Sequence, residues 1–199
     1  MSNFTTELES VNTMLSAVGS SPVSDLTGGA EVSIAKNILT ETRREVCSKG
    51  WAFNYETKVT LTPTTENVIT LTENVLRVDA TEGYNTDLDL VQRGTKLYDR
   101  KNHTYTITDT VTADVIYNLD WSELPEVARR YIMIRAARVF ADRVVGYSNQ
   151  HAFTMTDETQ ALADLKALEA ETADHNMLTG HWHVARVVNR RSVVDNISY

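Results

Sequence analysis

Thr104-Tyr105-Thr106-Ile107-Thr108 sets a β-branched hydroxyl residue at every second position and an aromatic or aliphatic one between. A period of two is that of a strand, whose successive side chains leave opposite faces. These residues lie near the end of a segment, Thr57 to Thr112, in which 15 of 56 residues are Thr. Threonine is stiff at χ1 and packs well on a pleated surface, so the texture predicts β structure. Strands are expected near 58–62, 67–72, 75–79, 88–92, 96–99, 104–108 and 111–119, parted by turn signals that include Gly83 and Lys101-Asn102. No helical pattern interrupts them, which excludes a doubly wound sheet and predicts a compact antiparallel sheet or small sandwich.

On both sides of this segment the period becomes helical. From Glu7 to Val18, Leu8, Val11, Leu15 and Val18 form an apolar stripe, Thr6 and Glu9 suit a capping box, and Gly19-Ser20-Ser21-Pro22 is a stop. A second helix is expected from Glu31 to Lys49, with Ala35, Leu39, Thr42 and Val46 on one face and Gly50 at its end. A third opens at Pro125, after Ser122, and stops at Gly146; a fourth covers Thr156 to Asp174 with Ala161, Leu165, Leu168 and Thr172 on one face. The expected class is α+β. An antiparallel four-helix bundle (1–56 and 121–180) carries an antiparallel β insertion (57–120) between its second and third helices, and an extended C-terminal tail (181–199) follows.

With 199 residues, 42% hydrophobic and 23% charged, the chain has an ordinary globular composition, and collagen-like or wholly disordered readings are excluded. The longest apolar run, Tyr131 to Ile134, is far short of the roughly 20 residues that cross a bilayer, so no membrane partner is expected. The single Cys47 cannot form an internal disulfide, and no leader pattern follows Met1, so a reducing cytoplasm is the expected surroundings. A net charge of -8 opposes tight binding to phosphate backbones. The charge is uneven: residues 121–153 and 181–199 are each +2, whereas 154–180 is -5.

Motifs for catalysis are absent or weak. Neither G-x-x-x-x-G-K-[ST] nor G-x-G-x-x-G occurs, and Gly28-Gly29 reads as a turn. Gly19-Ser20-Ser21-Pro22-Val23 has Val where a serine-hydrolase elbow needs its second Gly. Asn85, Asp87 and Asp89 begin a calcium-loop pattern, but Leu90 and Lys96 replace its Gly and its bidentate Glu. His175, His181 and His183, with Asp174, could offer zinc ligands, yet no orienting pattern accompanies them. Paired carboxylates such as Asp87, Asp89 or Asp99 could cleave a glycan, because that chemistry needs two acids in space and no fixed spacing. With 27 acids this alternative has no sequence support of its own, and the chain is read as no enzyme, with no cofactor and no metal.

The third helix is more informative. At about 100° per residue, Arg129, Arg130, Arg135, Arg138 and Arg143 surround the helix and do not form a stripe. Tyr131, Ile132, Ile134, Val139, Phe140 and Val144 are equally dispersed, and a helix apolar all round is normally buried. Arginines accommodated there need carboxylates, which the acidic fourth helix or a neighbouring subunit can supply. These five residues are therefore candidate interface residues, packed on several sides in an assembly. Trp182, Arg186, Arg190 and Arg191 join them, because the tail is basic and carries too many apolar residues for a solvated linker. Its Val pairs suit an extended docking arm added to a sheet edge.

Several blocks resemble, in order, the tail tubular protein A family of short-tailed T7-like bacteriophages. They are Leu8-Glu9-Ser10-Val11-Asn12 through Ala17-Val18-Gly19 and Pro22 to Leu26; Arg44 to Asn54 with Lys49-Gly50-Trp51-Ala52-Phe53-Asn54; Val91-Gln92-Arg93-Gly94 with Tyr98-Asp99-Arg100; Leu124-Pro125-Glu126 with Arg130-Tyr131-Ile132 and Ala137-Arg138; and Asn176-Met177-Leu178 with Gly180. The resemblance implies a virion tail protein assembled in the host cytoplasm. It would form an adaptor ring of twelve copies between the portal and the tail nozzle, tail tubular protein B, with genomic DNA passing through unbound. The family's fold is similar to the plan derived above, and no catalytic motif comes with it.

Overall fold

The computed structural model describes residues 4–80, 88–146 and 155–172. Helix α1 spans Glu7–Ala17 and begins where expected. The Thr6 hydroxyl accepts from the Glu9 amide at 3.1 Å, and the Glu9 carboxylate accepts from the Thr6 amide at 2.7 Å. Helix α2 spans Ala30–Cys47, and all four residues of its expected face, Ala35, Leu39, Thr42 and Val46, are buried. A short 3-10 turn, Trp121–Glu123, precedes α3, which spans Glu126–Val144 with Pro125 as its cap. Helix α4 spans Met155–Thr172.

Helix α3 is the central element: α1, α2 and α4 all pack against it. That explains the dispersed apolar pattern, because Ala128, Tyr131, Ile132, Ile134, Ala136, Ala137, Phe140 and Ala141 are buried on different sides. Three helices of the same chain thus contribute to the packing of α3 on several sides.

Between α2 and α3 lie β1 (Tyr55–Leu61), β2 (Val75–Ala80), β3 (Leu90–Arg93), β4 (Lys96–Asp99) and β5 (Val111–Tyr117). The first, second and fifth form an antiparallel sheet in the order β1-β5-β2, and β3 and β4 form a separate hairpin. Two expected strands are corrected. Residues 67–72 and 104–108 make only single bridges, Thr70 with Lys96 and Asp99 with Thr104. Left-handed backbone at Asn67 (φ 58°) and His103 (φ 54°) bounds the two segments at their N-terminal ends. The Thr104 hydroxyl also accepts from the Thr106 amide at 3.0 Å, a local turn that competes with a ladder. The alternation reported burial in part: Ile69, Leu71 and Ile107 are in the core, whereas Tyr105, of the same parity as Ile107, is 41% exposed.

The first strand starts at Tyr55, earlier than expected, because a bulge between Glu56 and Val59 restores its pairing. There Lys58 has φ 57°, and the Asp114 carboxylate accepts from the Lys58 amide and the Tyr55 hydroxyl, each at 2.9 Å. Two apolar clusters result. One joins the helices with Trp51 and Trp121. The other gathers Ile69, Leu71, Leu97, Ile107, Val111 and Ala113 inside the insertion.

Candidate interface helix and the joint behind it

The five arginines of α3 have separate destinations. Arg129 is buried and donates to three carbonyls: Leu124 at 2.8 Å, Ser122 at 2.8 Å and Thr5 at 3.2 Å. The same Thr5 carbonyl accepts from the Trp121 indole at 2.9 Å, and the Glu126 carboxylate accepts from the Thr5 amide at 2.9 Å and from its hydroxyl. Arg129 thus ties the segment before α1 to the start of α3. Arg135 pairs with Glu45 of α2 at 2.7 Å and with Glu158 of α4. Arg138 shares Glu158 and also meets Asp142 at 3.3 Å, and Arg143 reaches Glu41 of α2 at 3.0 Å. Arg130 is exposed and joins no ion pair among the described residues.

Glu158 is therefore the acid around which α2, α3 and α4 meet. Burial works against its charge, but hydrogen bonds and attraction from Arg138 and Arg135 outweigh it and hold its pKa below the ordinary carboxylate value. For Arg135, partial burial is likewise outweighed by Glu45 and Glu158, and its pKa is raised. Eleven residues on, the Glu169 carboxylate accepts from the Ala52 amide with both oxygens, at 2.9 and 2.8 Å. Eleven residues are about three helical turns, so both acids lie on one face of α4 with Ala161 and Leu165 between them. The acidic fourth helix was expected to supply carboxylates; the contributions of Glu41 and Glu45 of α2, and the bond of Glu169 to the Ala52 amide, were not. Their signal is the acid spacing on α2 and α4, which becomes legible only once α3 is known to be central.

The stretch Lys49-Gly50-Trp51-Ala52-Phe53-Asn54 is the joint between helices and insertion. Asn54 is buried, its amide nitrogen donates to the Cys47 and Tyr117 carbonyls at 2.8 and 2.6 Å, and its carbonyl accepts from the Trp51 amide at 2.8 Å. The Tyr117 amide returns a bond to the Asn54 main chain at 2.9 Å, and the Trp51 indole donates to Val46 at 2.9 Å. One side chain therefore fixes the end of α2, the approach to β1 and the end of β5.

Of the carboxylates weighed for other chemistry, Asp89 and Asp99 have structural partners. Asp99 is buried; burial opposes its charge, but the Asn102 side chain and the amides of Asp89, Lys101 and Asn102 prevail and lower its pKa. Asp89 pairs with Arg100 at 2.7 Å. Asn85 and Asp87 lie outside the described residues, as do Asp174, His175, His181, His183, Trp182, Arg186, Arg190 and Arg191. Among the described residues no group of three or more His, Cys, Asp or Glu is arranged to hold a metal, and no helix is long and apolar enough to cross a membrane.

A family model described as "Tube: Tail tubular protein" matches residues 8–175, which takes in the insertion and all four helices but for Glu7. The chain is also similar to "Tail tubular protein A" of Klebsiella phage KP34, with 30% identity over 146 residues, 72% of this chain and 76% of that protein.

Proposed function

The chain belongs to the tail tubular protein A family, structural proteins of the phage tail, and we propose that it forms the adaptor ring between portal and tail nozzle. The observation that carries this reading is the extent of the family match, which runs through the helical part, the insertion and the joint between them. The ring would hold twelve copies, contact the portal on one side and tail tubular protein B on the other, and form part of the genome ejection channel. A net charge of -8 supports a conduit, because a wall rich in carboxylates repels phosphates and leaves the duplex free to slide. Assembly would take place in the host cytoplasm before the virion is complete.

In this reading residues 1–56 and 121–180 form an antiparallel bundle, 57–120 the insertion and 181–199 a docking tail. Because Arg135 and Arg138 are engaged in partly buried pairs within the chain, the exposed Arg130, and Arg143 with its solvent-exposed pair to Glu41, are the α3 residues best suited to meet a neighbour. Trp182, Arg186, Arg190 and Arg191 would contribute from the tail. Electron microscopy and light scattering of the purified protein, alone and with portal, test the proposal. Rings in either sample are expected; a monomer in both would overturn it.

A further inference from the structure

The β3–β4 hairpin has a positive face whose two cations join no ion pair among the described residues. Its register sets Arg93 opposite Lys96, Gln92 opposite Leu97, Val91 opposite Tyr98 and Leu90 opposite Asp99. Leu97 and Asp99 are buried, so those two rungs turn inward, and Arg93, Lys96, Val91 and Tyr98 share the other face. On it the Arg93 guanidinium lies 3.6 Å from the centre of the Tyr98 ring. Tyr105, 41% exposed, meets the same ring edge-on at 4.8 Å. Arg93 and Lys96 are like charges directly across a ladder, which disfavours the hairpin. Neither joins an ion pair among the described residues, although acids outnumber bases by eight in the chain.

Helix α4 presents the complement. Asp157, Asp164 and Glu171 recur every seven residues, form one exposed row and span about 21 Å along the helix. The docked face of Glu158, Leu165 and Glu169 points elsewhere, and the exposed residues beside the row include the small Ala163 and Ala167. Among the described residues the longest exposed side chain on that edge is Gln160, which donates to the Asp164 carboxylate at 2.9 Å.

We propose that the β3–β4 hairpin of one copy docks on the α4 acidic row of the next, with Arg93 and Lys96 facing the carboxylates and Tyr98 and Tyr105 covering the small side chains. This rests on the ring reading and deepens it by naming the two patches. A contact between different patches of identical chains is heterologous, the type that closes into a ring. Subunits of charge -8 repel one another, and a local pair of opposite patches both offsets that repulsion and fixes the orientation of docking. The same net charge disfavours duplex DNA as the occupant of so small a basic patch.

The test is a charge exchange in the full-length protein. Arg93→Glu/Lys96→Glu and Asp164→Lys/Glu171→Lys are made separately and together, with circular dichroism to confirm folding and with Arg93→Gln/Lys96→Gln as a milder variant. Assembly is measured by light scattering and electron microscopy under whichever condition, alone or with portal, gives wild-type rings. Each separate variant should weaken assembly at least tenfold, and the combination should restore it. Wild-type rings with unaffected variants, or with no restoration in the combination, overturn this contact while leaving the ring reading intact. A monomeric wild type in both conditions overturns the ring itself. Retention of duplex DNA that is lost in Arg93→Glu/Lys96→Glu, with assembly unchanged, overturns the contact in favour of nucleic acid.

Discussion

At Gly50 the backbone has φ 73°, and a Cβ added there would lie 2.5 Å from Cδ1 of Ile116. Two separate costs therefore attend Gly50→Ala, one from left-handed backbone and one from a collision with β5. We expect a loss of about 2–4 kcal/mol in urea unfolding, larger than at Gly94, which also has positive φ but has nothing within 4 Å of an added Cβ. Ile116→Val removes the colliding methyl, so Gly50→Ala should cost less in that background; equal costs in both would show that the close approach contributes nothing. The helix-ending role of Gly50 was legible from its position after a periodic segment. The collision was not, because it depends on a partner 66 positions away whose strand register no local pattern fixes. Asn54 is similar: its residue type fits a turn, yet its three bonds join segments that only the fold brings together.

At the scale of elements, α4 is held by charge as much as by apolar area. Its buried residues are Glu158, Ala161 and Leu165, and the two clamping acids stand at either end of that short apolar strip. The Glu158 side chain is 12% exposed and its arginine partners about a quarter exposed, so solvent screening is incomplete. Glu158→Ala should cost about 1–3 kcal/mol by leaving Arg135 and Arg138 without their shared acid. Because folding depresses the Glu158 pKa, its contribution is complete above the ordinary value of 4.5 and disappears as pH falls through the depressed one. The protection of α4 against hydrogen exchange, taken relative to the intrinsic rate at each pH, should fall in wild type below about pH 4.5, and Glu158→Gln should show reduced protection already at neutral pH. Identical α4 protection in Glu158→Gln and wild type would refute the clamp. All four helices were legible to within about two residues at their described ends, since caps and a 3.6-residue period are local signals. The strands were less so: the alternation placed Ile69, Leu71 and Ile107 inward but not Tyr105, and hydrogen bonding at 67–72 and 104–108 depends on partners and local turns that no alternation fixes.

For the whole molecule, the decisive feature is that two apolar clusters meet at a polar joint. The helical cluster and the insertion cluster share no residue, and Asn54 bridges the end of α2 to the end of β5. If copies touch through the hairpin on one side and α4 on the other, the angle between insertion and helices determines whether a chain of subunits closes. A loose joint would permit open or mixed assemblies, because small errors in orientation add up around an axis. Asn54→Ala removes two buried hydrogen bonds and one part-buried one, and leaves two carbonyls and one amide without that partner. The expected cost is about 2–3 kcal/mol, small enough for much of the protein to stay folded if its stability is typical. Hydrogen exchange should then accelerate at the Tyr117 amide, which bonds to the Asn54 main chain, and at the end of α2, while the middle of α3 stays protected. Electron micrographs of the same variant should show fewer closed rings and more irregular oligomers than wild type. Unchanged exchange at both places would sink the joint, and faster exchange with normal rings would mean that closure is set by the contacts between copies alone.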